Sequence, residues 1–176
     1  MRRVSVVGTS GAGKSTFAAA LARVLGVPWL ELDSVYHQAG WTPLDGEEFR
    51  RQVALAASAP GWVIDGNYST VRDLVWARSD TVVWLDLPRR TVMRRVVFRT
   101  LRRVGGRVEL WNGNREGWRN LFTLDEQESV IAWAWKTHGS GRERYAAAAA
   151  DAAYRHLRFV RLGSPGAVRR FLRAAE

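Results

Sequence analysis

The most informative stretch of the chain is Val4-Ser5-Val6-Val7-Gly8-Thr9-Ser10-Gly11-Ala12-Gly13-Lys14-Ser15-Thr16. It fits the pattern G-x-x-x-x-G-K-[ST] at every fixed position. Its setting fits as well, because a β-branched run precedes the glycines, and Phe17, Leu21, Val24 and Leu25 follow at helical spacing. Glycines are needed where successive backbone N–H groups turn inward onto phosphate oxygens with no Cβ in the way. Gly8, Thr9, Ser10, Gly11, Ala12, Gly13, Lys14, Ser15 and Thr16 are therefore expected to cradle the phosphates of a nucleoside triphosphate. Lys14 supplies a point charge, Ser15 a hydroxyl for Mg2+, and the helix N-terminus a favourable dipole.

Outward from this loop, 176 residues with 47% hydrophobic side chains suffice for one core, so a single domain over 1–176 is expected. No apolar run approaches the ~20 residues of a membrane span. Val4 to Gly8 runs into a glycine loop where a signal peptide would need an apolar core. A soluble, cytoplasmic protein without membrane attachment follows, as monomer or dimer. The absence of cysteine excludes disulfide frameworks, thiol nucleophiles and thiolate zinc sites, and His37, His138 and His156 are too scattered for a metal cluster.

Basic residues exceed acidic ones by ten, and all but Lys14 and Lys136 of the basic set are arginine. Guanidinium groups pair bidentately with phosphate, yet an arginine bias is also what a GC-rich coding sequence writes. A lysine kept at the motif position is therefore more informative than any single arginine.

Short apolar runs at 3–7, 29–33, 62–65, 81–87 and 158–162 read as buried strands. Helical patterns lie between them. One follows the loop to residue 25, one runs from the Asp45/Glu48 capping box to about 58, and one from Pro88 to about 103. Three more are expected: from the Thr123/Glu126 cap to about 136, over 142–154, and onward from Ser164-Pro165. Alternating strands and helices predict an α/β fold with a five-stranded parallel sheet and helices on both faces.

In such sheets ligands bind beyond the carboxyl ends of the strands, where Asp33 and Asp65 are expected. Asp65 ends an apolar triplet in the manner of a Walker B acid, so Ser15 and Asp65 are the expected Mg2+ holders. Gly66 follows rather than a second acid, which favours transfer to an acceptor over hydrolysis. Glu31 precedes Asp33 by two positions, and the pair could bracket the metal or the acceptor hydroxyl.

The loop from Gly8 to Thr16, Leu32-Asp33, Gly40-Trp41, Trp62-Val-Ile-Asp-Gly-Asn-Tyr-Ser69, Leu85-Asp86-Leu-Pro88, Leu110-Trp-Asn-Gly-Asn-Arg-Glu116 and Gly163-Ser-Pro165 resemble one family. It comprises the small P-loop proteins called "DNA topology modulation protein" (FlaR-like), themselves similar to adenylate and shikimate kinases. The resemblance implies a P-loop NTPase fold of the nucleoside-monophosphate/shikimate kinase kind. It also implies an acceptor region after the second strand and a lid insertion at about 104–124. Adenylate kinases carry arginines for the acceptor phosphate just beyond the Asp-Gly of the third strand and in the acceptor helix. Here Asn67-Tyr68-Ser69 follow Gly66, Arg72 arrives late, and 34–41 contain no arginine. A neutral, hydroxyl-bearing acceptor read by Asp33, Tyr36, His37, Trp41, Asn67, Tyr68 and Arg72 fits better.

Lys14, Asp33 and lid arginines are the expected catalytic groups, with Arg115 first among the arginines and Arg119 and Arg99 next. The resemblance further implies that Ser164 and Pro165 sit where related kinases hold adenine. Two functions stay open. One is an ATP- and Mg2+-dependent phosphotransferase acting on a small hydroxyl-bearing or nucleotide-like acceptor. The other is an ATP-binding, nucleic-acid-associated protein, which the charge and nine tryptophans support, with weak non-specific nucleic-acid binding expected in either case.

Overall fold

The computed structural model describes residues 1–106, 109–114 and 130–175. Strand β1 (Arg3–Gly8) is the centre of the sheet, and its Val4, Val6 and Val7 are buried. Strands β2 (Trp29–Glu31), β3 (Trp62–Asp65), β4 (Thr81–Leu85) and β5 (Arg158–Leu162) join it in the order β2-β3-β1-β4-β5, all parallel. The chain crosses from one side of β1 to the other between β3 and β4, and the cleft at such a switch point lies above the end of β1.

The period of two along the strands separates two cores. On one face Val4, Val6, Val63 and Leu85 pack under helix α1 (Lys14–Leu25) and the C-terminal helix, with Phe17 and Leu21 buried between them. On the other face Val7, Ile64, Trp62 and Trp84 lie under four further helices. Short α2 (Leu32–Tyr36) follows β2, and α3 (Gly46–Ala56) starts at Asp45, whose carboxylate accepts from the amides of Glu47 and Glu48. Helix α4 (Ser69–Arg78) buries Val71, Val75 and Trp76. The sequence does not single it out, because Tyr68 gives its N-terminus no side-chain cap. Helix α5 (Arg89–Gly105) begins beyond Pro88.

Three expected boundaries move. The strand expected over 29–33 stops at Glu31, because Leu32 turns into the core and opens α2, which places Asp33 in a first helical turn. Strand β4 ends at Leu85, and Leu87 joins an apolar cluster with Val92 and Val96 instead. The two helices expected over 123–136 and 142–154 are, where described, one helix, α6 (Val130–Ala150). It runs through Gly139, Ser140 and Gly141 because Ala134, His138 and Tyr145 share one buried face, and that packing outweighs about 1 kcal/mol per glycine. The Thr123/Glu126 cap lies outside the described residues. Helix α7 (Pro165–Ala175) follows β5, and Ser164 Oγ accepts from the amide of Ala167 at 3.1 Å. Among the described residues no helix is long and apolar enough to cross a membrane.

Leu21 is fully buried between α1 and the sheet, whereas Leu55 is 70% exposed. Urea denaturation should show Leu21→Ala losing about 3 kcal/mol of stability and Leu55→Ala changing it by no more than about 0.5.

Candidate active site

The loop after β1 takes its shape from its glycines. Gly11 has φ 83°, and a Cβ there would land on Val96 Cγ2 and within 3.0 Å of Val92 O. Gly13, with φ 91° and ψ 29°, is the left-handed N-cap of α1 and provides no side-chain cap. The amides of Gly13, Lys14, Ser15 and Thr16 consequently have no hydrogen-bond acceptor among the described residues. Open amides at a helix N-terminus form an anion site. The base of the loop is clasped from outside: Asn67 Nδ2 donates to Gly8 O at 2.7 Å, and Gly8 N donates back to Asn67 Oδ1 at 3.3 Å. Tyr145 of α6 donates its hydroxyl to the same Oδ1 at 3.0 Å.

Lys14 lies in the cleft with Nζ 3.5 Å from Thr9 O. Burial lowers its ammonium below the ordinary value, Asp33 and Asp65 pull it back up, and Arg99 pushes it down. Ser15 donates its hydroxyl to Glu31 Oε1 at 2.5 Å and lies 3.3 Å from Asp65 Oδ1. Each of these carboxylates is held from behind by an indole. Trp29 Nε1 donates to Asp65 Oδ2 at 2.8 Å, and Trp111 Nε1 to Glu31 Oε2 at 2.7 Å. Burial pushes Asp65 up to about 7, Trp29 and Lys14 oppose the shift, and Glu31 and Asp33 add to it. A hydroxyl with two carboxyl groups converging on it is an oxygen donor set of the kind that could hold a hard divalent cation.

Asp33 stands beside this group. Its Oδ1 accepts from the Tyr68 hydroxyl at 2.7 Å, which lies 3.4 Å from His37 Nε2, while Oδ2 makes no hydrogen bond among the described residues. Burial and the Asp33 carboxylate keep the Tyr68 phenol above its ordinary value, so it stays a donor. Tyr36 packs its ring on Tyr68 and Phe49, and His37 stacks on Trp111 with ring centres 5.9 Å apart. Opposite, Arg95 Nη1 donates to Ala12 O at 3.1 Å and Arg99 Nη2 to Ser10 Oγ at 3.2 Å. With Arg103, Trp111, Val168 and Leu172 they complete a cleft of about 460 Å3 over the glycine loop.

No known protein-family profile matches the chain, and no curated protein matches it in sequence. Solved structures do match. A shikimate kinase from Acinetobacter baumannii in complex with shikimate aligns with TM-score 0.56 at 17% identity, over 99% of this chain and 90% of that one. A shikimate kinase from Bacteroides thetaiotaomicron gives 0.52 and 17%, over 98% and 95%. A gluconokinase from Sinorhizobium meliloti 1021 gives 0.52 and 17%, over 99% and 89%. The fold is that of the P-loop kinases.

Within that fold, Lys14, Ser15 and Asp33 line one cleft, Asp65 lies buried behind Ser15, and Tyr68 and His37 stand a step behind Asp33. Trp41 is exposed with φ 60°, and its amide donates to Asn114 Oδ1. Asn67 commits its amide to the glycine loop rather than to the cleft. Arg72 lies over the Trp76 ring, 5.6 Å from its centre, and borders a small void behind the sheet rather than the cleft. Ser164 and Pro165 start α7 without lining the cleft, and Val168 and Leu172, one and two turns on, line it instead. Arg115 and Arg119 lie outside the described residues, as does most of 104–124.

Glu31 bonds Ser15 directly, where Asp33, two positions later, bonds Tyr68. Arg95, Arg99 and Arg103 also line the cleft, and their i, i+4, i+8 spacing on α5 is the signal that identifies them as one face.

Because Asp65 is raised in the folded state, the stability it confers is full below the unfolded carboxyl value near 4 and lost as pH rises through about 7. In EDTA the melting temperature of the wild type should fall from pH 5 to pH 8. Asp65→Asn should flatten that slope and melt above the wild type at pH 8 in scanning fluorimetry.

Proposed function

We propose that the protein is an ATP- and Mg2+-dependent phosphotransferase acting on a small hydroxyl-bearing or nucleotide-like acceptor, with a neutral hydroxyl acceptor fitting best. The observation that carries this reading is Ser15 of the glycine loop set between Glu31 and Asp65, with Asp33 in the same cleft and its Oδ2 without a hydrogen bond among the described residues. Lys14 and the open amides at 13–16 hold the donor phosphates. Ser15, Glu31 and Asp65 would hold Mg2+, which would supply charge neutralisation on the donor. Asp33 orients the acceptor hydroxyl and takes its proton as the oxygen attacks the terminal phosphorus and the bond to the nucleoside diphosphate oxygen breaks. Arg99, with Arg115 and Arg119, neutralises charge on the phosphoryl group in flight.

Kinases of small molecules among the matching structures support this class, and the 62–69 and 110–116 segments support the finer kinship with FlaR-like P-loop proteins. A screen of hydroxylated metabolites by mass spectrometry should yield an ATP-dependent gain of one phosphate. Lys14→Ala should abolish turnover, and Asp33→Asn should lower kcat about a hundredfold at saturating ATP and Mg2+. Full turnover by Lys14→Ala would remove the phosphate-loop assignment.

A nucleic-acid role draws on one further observation. Helix α5 exposes Arg90, Arg94 and Arg102 beside Phe98, which is 70% exposed. Dispersed arginines of this kind should bind duplex DNA weakly, without sequence preference, and with affinity falling steeply as salt rises. Sub-micromolar, ATP-dependent DNA binding at physiological salt, together with no phosphorylated small molecule, would favour the nucleic-acid reading.

A further inference from the structure

Residues 109–114 are fastened to the segment after β2 by bonds that all involve backbone on at least one side. Asn112 Nδ2 donates to His37 O at 2.5 Å, and Asn114 Nδ2 donates to Gln38 O at 2.8 Å. Asn114 Oδ1 in turn accepts from the amide of Trp41 at 2.8 Å. That amide belongs to a tryptophan with φ 60°, a left-handed conformation that costs about 1–2 kcal/mol and persists only where the surroundings impose it. Asn112 is left-handed too, with φ 55°, and it closes a tight turn in which Leu110 N donates to Asn114 O at 2.7 Å. This turn aims Trp111 at the cleft. Its indole N–H reaches Glu31 Oε2 at 2.7 Å while its ring stacks on His37.

Glu31 is therefore held at both oxygens from two parts of the chain. Oε1 receives the Ser15 hydroxyl of the glycine loop, and Oε2 receives an indole whose position depends on the strap at 109–114. A carboxylate free at Oε2 could rotate away from Ser15, and one held there keeps Oε1 on the metal side. We propose that Trp111 is a positioning residue that couples docking of the strap on the acceptor wall, residues 34–41, to the metal-holding geometry of Glu31. The coupling rests on the phosphotransfer reading and adds a direction to it. Because linkage is reciprocal, metal-nucleotide binding also tightens the strap against the acceptor wall, so the donor site helps to build the acceptor site.

The experiment compares ADP affinity in Mg2+ with that in EDTA by isothermal titration calorimetry, the ratio of the two reporting how much the metal contributes. Trp111→Phe keeps the ring and deletes the N–H, and it should shrink this ratio about tenfold while the affinity in EDTA stays at the wild-type value. Asn114→Ala touches neither Glu31 nor the cleft, yet should shrink the ratio in the same direction. If its thermal melt shows that it does not fold, exposed Asn112→Ala serves in its place. In a Glu31→Gln background, Trp111→Phe should cause no further loss.

An unchanged ratio in Trp111→Phe or in the asparagine variant overturns the coupling and leaves phosphotransfer standing. An equal loss of ADP affinity in EDTA and in Mg2+ overturns it as well, because it marks a merely structural role. Wild-type protein that binds ADP in neither condition overturns the phosphotransfer reading and the coupling with it.

Discussion

Three carboxyl groups, Glu31, Asp33 and Asp65, crowd together beside Lys14 at the carboxyl end of the sheet, and the surrounding structure is organised around that crowding. A desolvated carboxylate is expensive unless paired, and Asp65 is only 2% exposed. The chain answers with neutral donors: two indoles, a serine hydroxyl and a tyrosine hydroxyl are spent on Glu31, Asp33 and Asp65. Neutral donors fix the directions of these oxygens without cancelling their charge. A ligand that binds this cluster in the folded state alone stabilises that state by its own binding free energy.

What the amino-acid sequence reveals, and what it conceals, follows from the range of the forces involved. The glycine loop and the five strands are written locally, in fixed spacing and in apolar runs, and each of them is present in the structure. Asp33 is harder to place, because Leu32 continues an apolar pattern that fits a strand and a helix equally well. The choice between them is made by the core under α3. Helix α6 crosses two glycines for the same kind of reason, since the face made by Ala134, His138 and Tyr145 exists only once α5, Leu87 and the core around Trp84 are there to receive it.

Asn67 shows the limit most clearly. An asparagine after Asp-Gly at a strand end looks like a side chain for reading an acceptor, and no local pattern says that its amide turns back to Gly8. Only the register that sets β3 beside β1 brings the two within reach. Fold likeness at 17% identity shares this limit from the other side: it establishes the scaffold and leaves the chemistry to be argued from Ser15, Glu31, Asp33 and Asp65.

The central place of β1 bears on how the protein is made. β1 is synthesised first, yet neither neighbour exists until β3 and β4 have been added, and the clasp on Gly8 waits for Tyr145 near the far end of the chain. An apolar strand must therefore stay unpaired while more than fifty further residues are added, which is the condition under which nascent chains aggregate or engage chaperones. The glycine loop, read early in the sequence, completes its packing only with residues made well after it, Asn67 at its base and Val96 against Gly11.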